Sequence, residues 1–100
     1  MKKSMIDILA CPVDKHYPLE LFELDVLAQD NQIDEAIINE GLLFCNECLR
    51  YYPIIDEIPI MLPDELRERQ TDINFLQKWK NKIPDKVIRH GNPWHIDYRV

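Results

Sequence analysis

The fold is decided by residues 41–63, which read GLLFCNECLRYYPIIDEIPIMLP. Within this stretch, Cys45 and Cys48 have the spacing that lets both thiolates bind one metal ion from a single tight turn. Apolar and aromatic residues lie on both sides of the pair, which predicts two antiparallel strands joined at a metal-binding knuckle. The stretch therefore contains half of a metal site at the tip of a hairpin.

A further strand is predicted at residues 58–62, after the acidic turn Asp56-Glu57. Prolines within and after this strand cannot donate a hydrogen bond to a sheet, so the strand should lie at an edge. We expect its apolar side chains to face one side, with Met61 on the other, and an open apolar edge is an aggregation hazard unless another chain covers it. The residues predicted to bind a partner are Ile58, Pro59, Ile60, Met61 and Leu62.

The N-terminal part of the chain supplies the other candidate metal ligands. A structural zinc ion takes four ligands, and Cys11, Cys45 and Cys48 supply three of them. Asp14 has the spacing of a second Cys-x-x-Cys partner, whereas His16 is chemically better suited to a thiolate-rich site. The sequence leaves both as candidates for the fourth ligand. It also leaves open a degenerate knuckle that holds no metal.

The chain as a whole predicts an α+β fold, in which a small antiparallel sheet built on the knuckle hairpin is accompanied by helices. A short N-terminal helix is expected over Ser4–Leu9, with Ser4 as its cap. Residues 19–27 alternate between apolar and polar with a phase slip at Leu21-Phe22, which indicates one strand with a bulge. A polar turn is expected at 29–32, and residues 33–40 fit a helix or a strand, of which we favour the strand.

The C-terminal part is expected to form one amphipathic helix followed by a tail. Apolar residues recur at helical spacing over 64–83, where Asp64 can cap the helix and a break near Gln70-Thr71 is allowed. A proline ends this pattern, so residues 84–100 are predicted to be an extended tail. The tail contains His90 and His95, which we interpret as surface or packing residues.

Composition narrows the class of protein. A chain of 100 residues with 46% hydrophobic residues suits a single domain over 1–100. The formal net charge of -6 disfavours indiscriminate binding to nucleic acid, although a basic run lies at Lys78–Arg89. We find neither a signal peptide nor a stretch long enough to cross a membrane, so we expect a cytoplasmic protein whose thiols are reduced and available for metal.

The combination of motifs resembles a known family. The segments ILACP at 8–12, GLLFCNEC at 41–48, RYYPI at 50–54 and IPIMLP at 58–63 together are similar to the small zinc-knuckle activator subunit of methyltransferases and its short bacterial relatives. The resemblance spans residues 5 to 83. It implies an archaeal-type short form that forms a heterodimer with each of several S-adenosylmethionine-dependent methyltransferases acting on tRNA, rRNA or translation release factor. It also implies a non-catalytic role, with RNA contacted only through the complex.

The sequence departs from the family pattern at two positions. Asp14 replaces an expected cysteine, which places the zinc ion in question. Glu57 replaces the glycine usual in the acidic turn, so that turn must use a backbone conformation open to a residue with a Cβ atom.

Two other classes of function compete with this interpretation. A nucleic-acid-binding zinc ribbon would carry basic and aromatic residues around its knuckle, whereas here Glu47 lies inside the knuckle and only Arg50 follows it. A thiol redox enzyme would use Cys45 and Cys48 as a reactive pair. Such pairs need neighbouring cations that lower the thiol pKa, and an acid between the cysteines has the opposite effect.

Overall fold

The computed structural model describes residues 1–27 and 37–96. They form the strands β1 (Glu20–Leu27), β2 (Ile37–Phe44), β3 (Tyr51–Ile55) and β4 (Ile58–Pro59), the α-helices α1 (Arg69–Lys78) and α2 (Asp85–His90), and short 3-10 helices at Lys3–Ile8 and Asp64–Leu66. The turn predicted at 29–32, residues 33–36 of the favoured strand and residues 97–100 of the predicted tail lie outside the described residues.

The four strands form one antiparallel sheet in the order β1-β2-β3-β4. The strand expected over 33–40 is confirmed for residues 37–40, which extend β2 along β1. The predicted bulge in β1 is also present, but the pairing register shifts between Glu23 and Val26, a few residues after the phase slip at Leu21-Phe22. The predicted α+β fold is thus confirmed, with the knuckle hairpin formed by β2 and β3.

Both faces of the sheet are buried. Because side chains alternate along a strand, β2 directs Leu42 and Phe44 to one face and Leu43 to the other. The first pair packs in a cluster with α1 and α2, and Leu43 packs in a second cluster with the N-terminal segment. The sheet therefore holds the N-terminal and C-terminal segments on opposite sides.

The N-terminal helix begins one residue earlier than predicted. Lys2 lies at its N-cap without a side-chain cap, so the prediction that Ser4 caps the helix is wrong. The physical reason is that Lys2 pairs with Ile37 of β2, and the helix starts as soon as the chain leaves the sheet. The apolar residues Met5, Ile6 and Leu9 of this segment pack against the second cluster.

The prediction of a single helix over 64–83 is wrong, because the structure interrupts it. A 3-10 turn at Asp64–Leu66 is separated from α1 by extended backbone at Arg67 (φ -90, ψ 148), before the break expected at Gln70-Thr71. The helix then ends at Lys78. The chain interrupts the helix because the Arg67 side chain turns inward to pair with the buried Asp72 carboxylate at 2.9 Å.

Asp64 does not cap a helix as predicted. Its carboxylate accepts two hydrogen bonds from the Arg50 guanidinium, at 2.9 and 2.7 Å. This bidentate pair ties the segment after β4 to the end of the knuckle hairpin.

The extended tail predicted from residue 84 is also wrong. Pro84 occupies the N-cap of α2, whose Val87 and Ile88 are fully buried in the first cluster. Proline fits the beginning of a helix because the first amide groups there have no intrahelical partner. His90 and His95 lie at the surface as predicted. No helix in residues 1–27 or 37–96 is long and apolar enough to cross a membrane.

Candidate metal centre and partner-binding edge

Two turns with the same backbone pattern face each other at one end of the sheet. We call residues 11–16 the N-terminal knuckle and residues 45–50 the C-terminal knuckle. In each knuckle, the N–H of the first residue, a cysteine, donates to the carbonyl of the sixth residue, and the carbonyl of that cysteine accepts a hydrogen bond from the N–H of the fifth residue. All four bonds are 2.8–2.9 Å long. The fifth residue of each turn has positive φ, 66° at Lys15 and 65° at Leu49. The N-terminal knuckle therefore has the same backbone pattern as the C-terminal knuckle although it contains only one cysteine.

This matched geometry places Asp14 where Cys48 lies in the other knuckle. The ligand atoms of Cys11, Asp14, Cys45 and Cys48 all lie within 4.8 Å of one another. The Cys11 and Cys48 sulfurs are 3.7 Å apart, and the Cys45 sulfur lies 3.6 and 3.5 Å from the two Asp14 oxygens. A tetrahedral zinc site has edges of about 3.8 Å between two sulfurs and about 3.5 Å between sulfur and oxygen, from its usual bond lengths. The four side chains therefore fit such an ion.

His16 does not join this cluster, so the structure brings together one of the two candidates for the fourth ligand. The His16 backbone instead supports the other candidate, since its N–H donates to Asp14 Oδ1 at 2.9 Å. That hydrogen bond lowers the pKa of Asp14 to about 2, which keeps the carboxylate ionised and ready to bind a cation.

The cysteines are buried to different degrees. Cys11 and Cys45 are fully buried, and Cys48 is partly exposed. Burial raises the pKa of the Cys45 thiol to about 12, so this sulfur keeps its proton unless a cation takes the proton's place. Such a site is suited to holding a metal rather than to thiol redox chemistry, which needs a lowered pKa.

Two residues beside the cluster, Tyr52 and Arg50, were not predicted from the sequence to belong to the site. The Tyr52 hydroxyl lies 3.1 Å from the Cys11 sulfur in the buried interior. Asp64 and, to a smaller extent, Cys48 raise the pKa of Arg50, so Arg50 keeps its positive charge beside the Cys48 sulfur. The sequence signal was available for Tyr52, since alternation along β3 places it on the same face as Ile54 and hence toward the cysteines.

The strand predicted at residues 58–62 is present but shorter than expected. β4 contains only Ile58 and Pro59, whereas the prediction extended it to Leu62. The Ile60 N–H still donates to the Pro53 carbonyl at 2.8 Å, but Pro53 has no N–H to return a bond, and regular pairing ends there. We call residues 58–62 the docking edge.

The docking edge lies at the end of the sheet with part of its apolar surface exposed. Ile58 is 60% exposed and Leu62 36%, while Met61, which was predicted to bind a partner, packs inward against the second cluster. Alternation along the strand directs the Pro59 carbonyl and the Met61 N–H away from β3. The edge therefore offers apolar side chains together with main-chain hydrogen-bonding groups.

The turn before this edge has an unusual backbone. Asp56 and Glu57 both have positive φ, 50° and 71°, as a two-residue type I′ hairpin requires. The turn thus uses the left-handed region that glycine favours, against the expectation of a conformation that suits a Cβ atom. The Glu57 N–H donates to the Asn39 carbonyl at 2.9 Å, which helps to hold this conformation.

Comparison with known proteins identifies the family. The family described as Trm112p-like protein matches residues 2–57, which include both knuckles. The chain belongs to the Trm112p-like family. Two curated relatives, each described as a UPF0434 protein, come from Nitrosococcus oceani (32% identical over 68 residues, 68% of this chain and 88% of the relative) and Methylobacillus flagellatus (35% over 68 residues, 68% and 87%).

A solved structure of the same family shares the fold. It is a complex between the Haloferax volcanii Trm112 methyltransferase activator and a protein proposed to be a methyltransferase. The matching chain of that complex is 40% identical, with a TM-score of 0.50 over 67% of this chain and 100% of the matched one. In this Trm112p-like chain, the family match ends at Glu57, so all four residues of the candidate metal site lie within it and the docking edge follows directly.

Proposed function

We propose that this chain is a non-catalytic partner subunit that binds, stabilises and activates S-adenosylmethionine-dependent methyltransferases acting on tRNA, rRNA or translation release factor. Family membership supports the activator role, and so does similarity to a chain of the Haloferax volcanii activator complex. The observation that carries the proposal is the docking edge, an exposed apolar strand at the open side of the sheet. We expect the heterodimer to form in the cytoplasm, with RNA contacted only through the complex.

Docking would proceed by strand addition. Main-chain hydrogen bonds from the outward groups of Pro59 and Met61 are indifferent to the partner's side chains, so one small subunit can serve several enzymes. Burial of Ile58 and Leu62 in the interface strengthens binding, since a fully buried aliphatic side chain contributes about 1.5–3 kcal/mol of favourable free energy. Covering the edge also removes the aggregation hazard that it presents when free.

We further propose one structural zinc ion per chain, held by Cys11, Asp14, Cys45 and Cys48. The ion would cross-link the two knuckles, and thereby tie the N-terminal segment to the β2–β3 hairpin. Asp14 brings an ionised carboxylate, the Tyr52 hydroxyl supports the Cys11 sulfur, and Arg50 offsets the excess negative charge of three thiolates and a carboxylate. These residues hold and orient the site, and none of them is proposed to act on a substrate.

The nucleic-acid-binding zinc ribbon is the alternative function. Lys78 and Lys86, which belong to the basic run, are paired with Glu40 at 2.9 Å and Glu20 at 2.6 Å. These pairs leave less positive charge available for phosphate than the sequence indicated.

The test of the proposal is recovery of the partner. The tagged chain should be purified from its native cells and the bound chains identified by mass spectrometry. Stoichiometric recovery of a methyltransferase supports the proposal, whereas recovery of nucleic acid without a methyltransferase would support the zinc ribbon.

A further inference from the structure

Arg67 is buried, and two of its three guanidinium nitrogens have no hydrogen-bond partner in the described residues. Its side chain is only 2% exposed, and its Nε donates to Asp72 Oδ2 at 2.9 Å. Nη1 and Nη2 are buried as well, and neither has a hydrogen-bond partner within the described residues. A guanidinium presents its donors in a fixed planar fork, so the remaining groups cannot rotate toward other acceptors. Buried donors without an acceptor are rare and call for an explanation.

Neighbouring side chains hold the guanidinium in place but give its two amino groups no hydrogen-bond acceptor. Its central carbon lies 4.8 Å from the centre of the Tyr51 ring and 5.4 Å from that of Tyr52, which attracts the positive charge. The aromatic rings supply no acceptor oxygen. Asp72 is fixed in turn by Trp94, whose Nε1 donates to the same oxygen at 3.1 Å. The two unpartnered amino groups of Arg67 are therefore preorganised.

A cavity of about 230 Å³ lies beside this side chain, directly after β4. We call it the Arg67 cavity. Its apolar wall is formed by Ile60 and Leu62 of the docking edge and by Leu66, which is 65% exposed. Its polar wall contains Arg67 together with two acids, Glu68 and Asp72. The cavity is thus continuous with the edge along which we propose that a methyltransferase strand pairs.

We propose that the Arg67 cavity receives a main-chain carbonyl oxygen of the docked methyltransferase, and that docking uncovers the Arg67 amino groups, which are buried in the free chain, so that they donate to this oxygen. A neutral acceptor fits better than a carboxylate, because a second anion would meet Asp72 and Glu68 in the same wall. A main-chain source follows from the docking mode, since a strand paired along β4 carries its own carbonyl groups past Ile60 and Leu62. This inference rests on the proposed function.

The contact would fix where the partner strand begins. Strand pairing alone can slip, because its main-chain bonds repeat along the edge. Two buried donors at one end of the edge favour a single register, since in any other register they stay unpartnered. Arg67 would therefore act as a positioning residue for docking.

The first test observes the donors themselves. The chain is labelled with ¹⁵N-arginine, and the Arg67 Nη–H resonances are recorded alone and with the methyltransferase recovered from native cells. We expect a downfield shift on complex formation, as a new hydrogen bond produces. If the complex forms and these resonances do not move, the inference is overturned while the proposed function stands. If no methyltransferase binds at all, both fail.

The second test measures affinity. We expect Arg67→Met to weaken methyltransferase binding at least tenfold (about 1.4 kcal/mol or more), with the same loss at low and high salt. Arg69→Met, which removes the same charge from the exposed first residue of α1 outside the cavity, should leave affinity within a factor of about three. Equal binding by a folded Arg67→Met variant would overturn the inference, and a loss that disappears at high salt would replace the carbonyl by a carboxylate. The resonance test decides the matter if Arg67→Met does not fold.

Discussion

Replacing Ile58 by aspartate should remove methyltransferase binding and leave the free chain folded. Ile58 is 60% exposed, so about 1–2 kcal/mol of its burial free energy is left for an interface to gain. Aspartate loses that gain and buries an unpaired carboxylate, which costs about 3 kcal/mol more. The total of about 4–5 kcal/mol corresponds to a loss of about 1,000-fold or more in affinity. Stability of the free chain should change by less than about 0.5 kcal/mol, since the residue lies at the surface.

The assay is a pull-down with a co-expressed methyltransferase, followed by a titration that gives the dissociation constant. Ile8→Asp is the matched control, because Ile8 is 77% exposed but belongs to the N-terminal 3-10 helix and not to the docking edge. Lys80→Glu is a second control on the basic face and should leave assembly intact. Unchanged binding by folded Ile58→Asp, with binding lost in either control, would refute the assignment of the docking edge.

Three further predictions follow from the site and its surroundings. Asp14→Ala should release zinc at a lower chelator concentration than the wild type, whereas His16→Ala should not, as measured by a colorimetric chelator competition. Lys86 lowers the pKa of the Glu20 carboxyl, so ¹³C NMR should show this group titrating below 4.5, and its pKa should move back toward 4.5 in Lys86→Met. The stability that this pair contributes is present above pH 4.5 and is lost as the pH falls through the folded-state pKa. The isolated chain should bind no S-adenosylmethionine by calorimetry, because a chain with only two glycines offers no glycine-rich loop for a nucleotide.

The sheet and the metal cluster could be predicted because their signals are local. The spacing of Cys45 and Cys48 defines one turn, and alternation along the flanking residues defines β2 and β3. Asp14 and His16 could not be separated in the same way, since spacing and ligand chemistry favoured different residues. The matched hydrogen bonds of the two knuckles bring Asp14, and not His16, to the three cysteines, and these bonds become visible only when both turns are folded.

The C-terminal half was predicted less well because tertiary contacts override its helical pattern. Periodicity over 64–83 indicated one helix, but the pairing of Arg67 with Asp72 draws the chain inward and interrupts it. Pro84 indicated the end of the preceding helix, whereas in the structure it precedes the first residue of α2. Val87 and Ile88 could have indicated a short buried helix, but six residues are too few for periodicity to show.

Hydrogen exchange of the main-chain amides tests the central claim most directly. The chain would be measured alone and in complex with the methyltransferase recovered from native cells. We predict that protection on binding concentrates in residues 58–62, with the outward Met61 amide most affected, while the exposed residues of the basic run from Lys78 to Arg89 exchange as before. Protection confined to that basic run, with the Met61 amide unchanged, would contradict the docking of a methyltransferase at this edge.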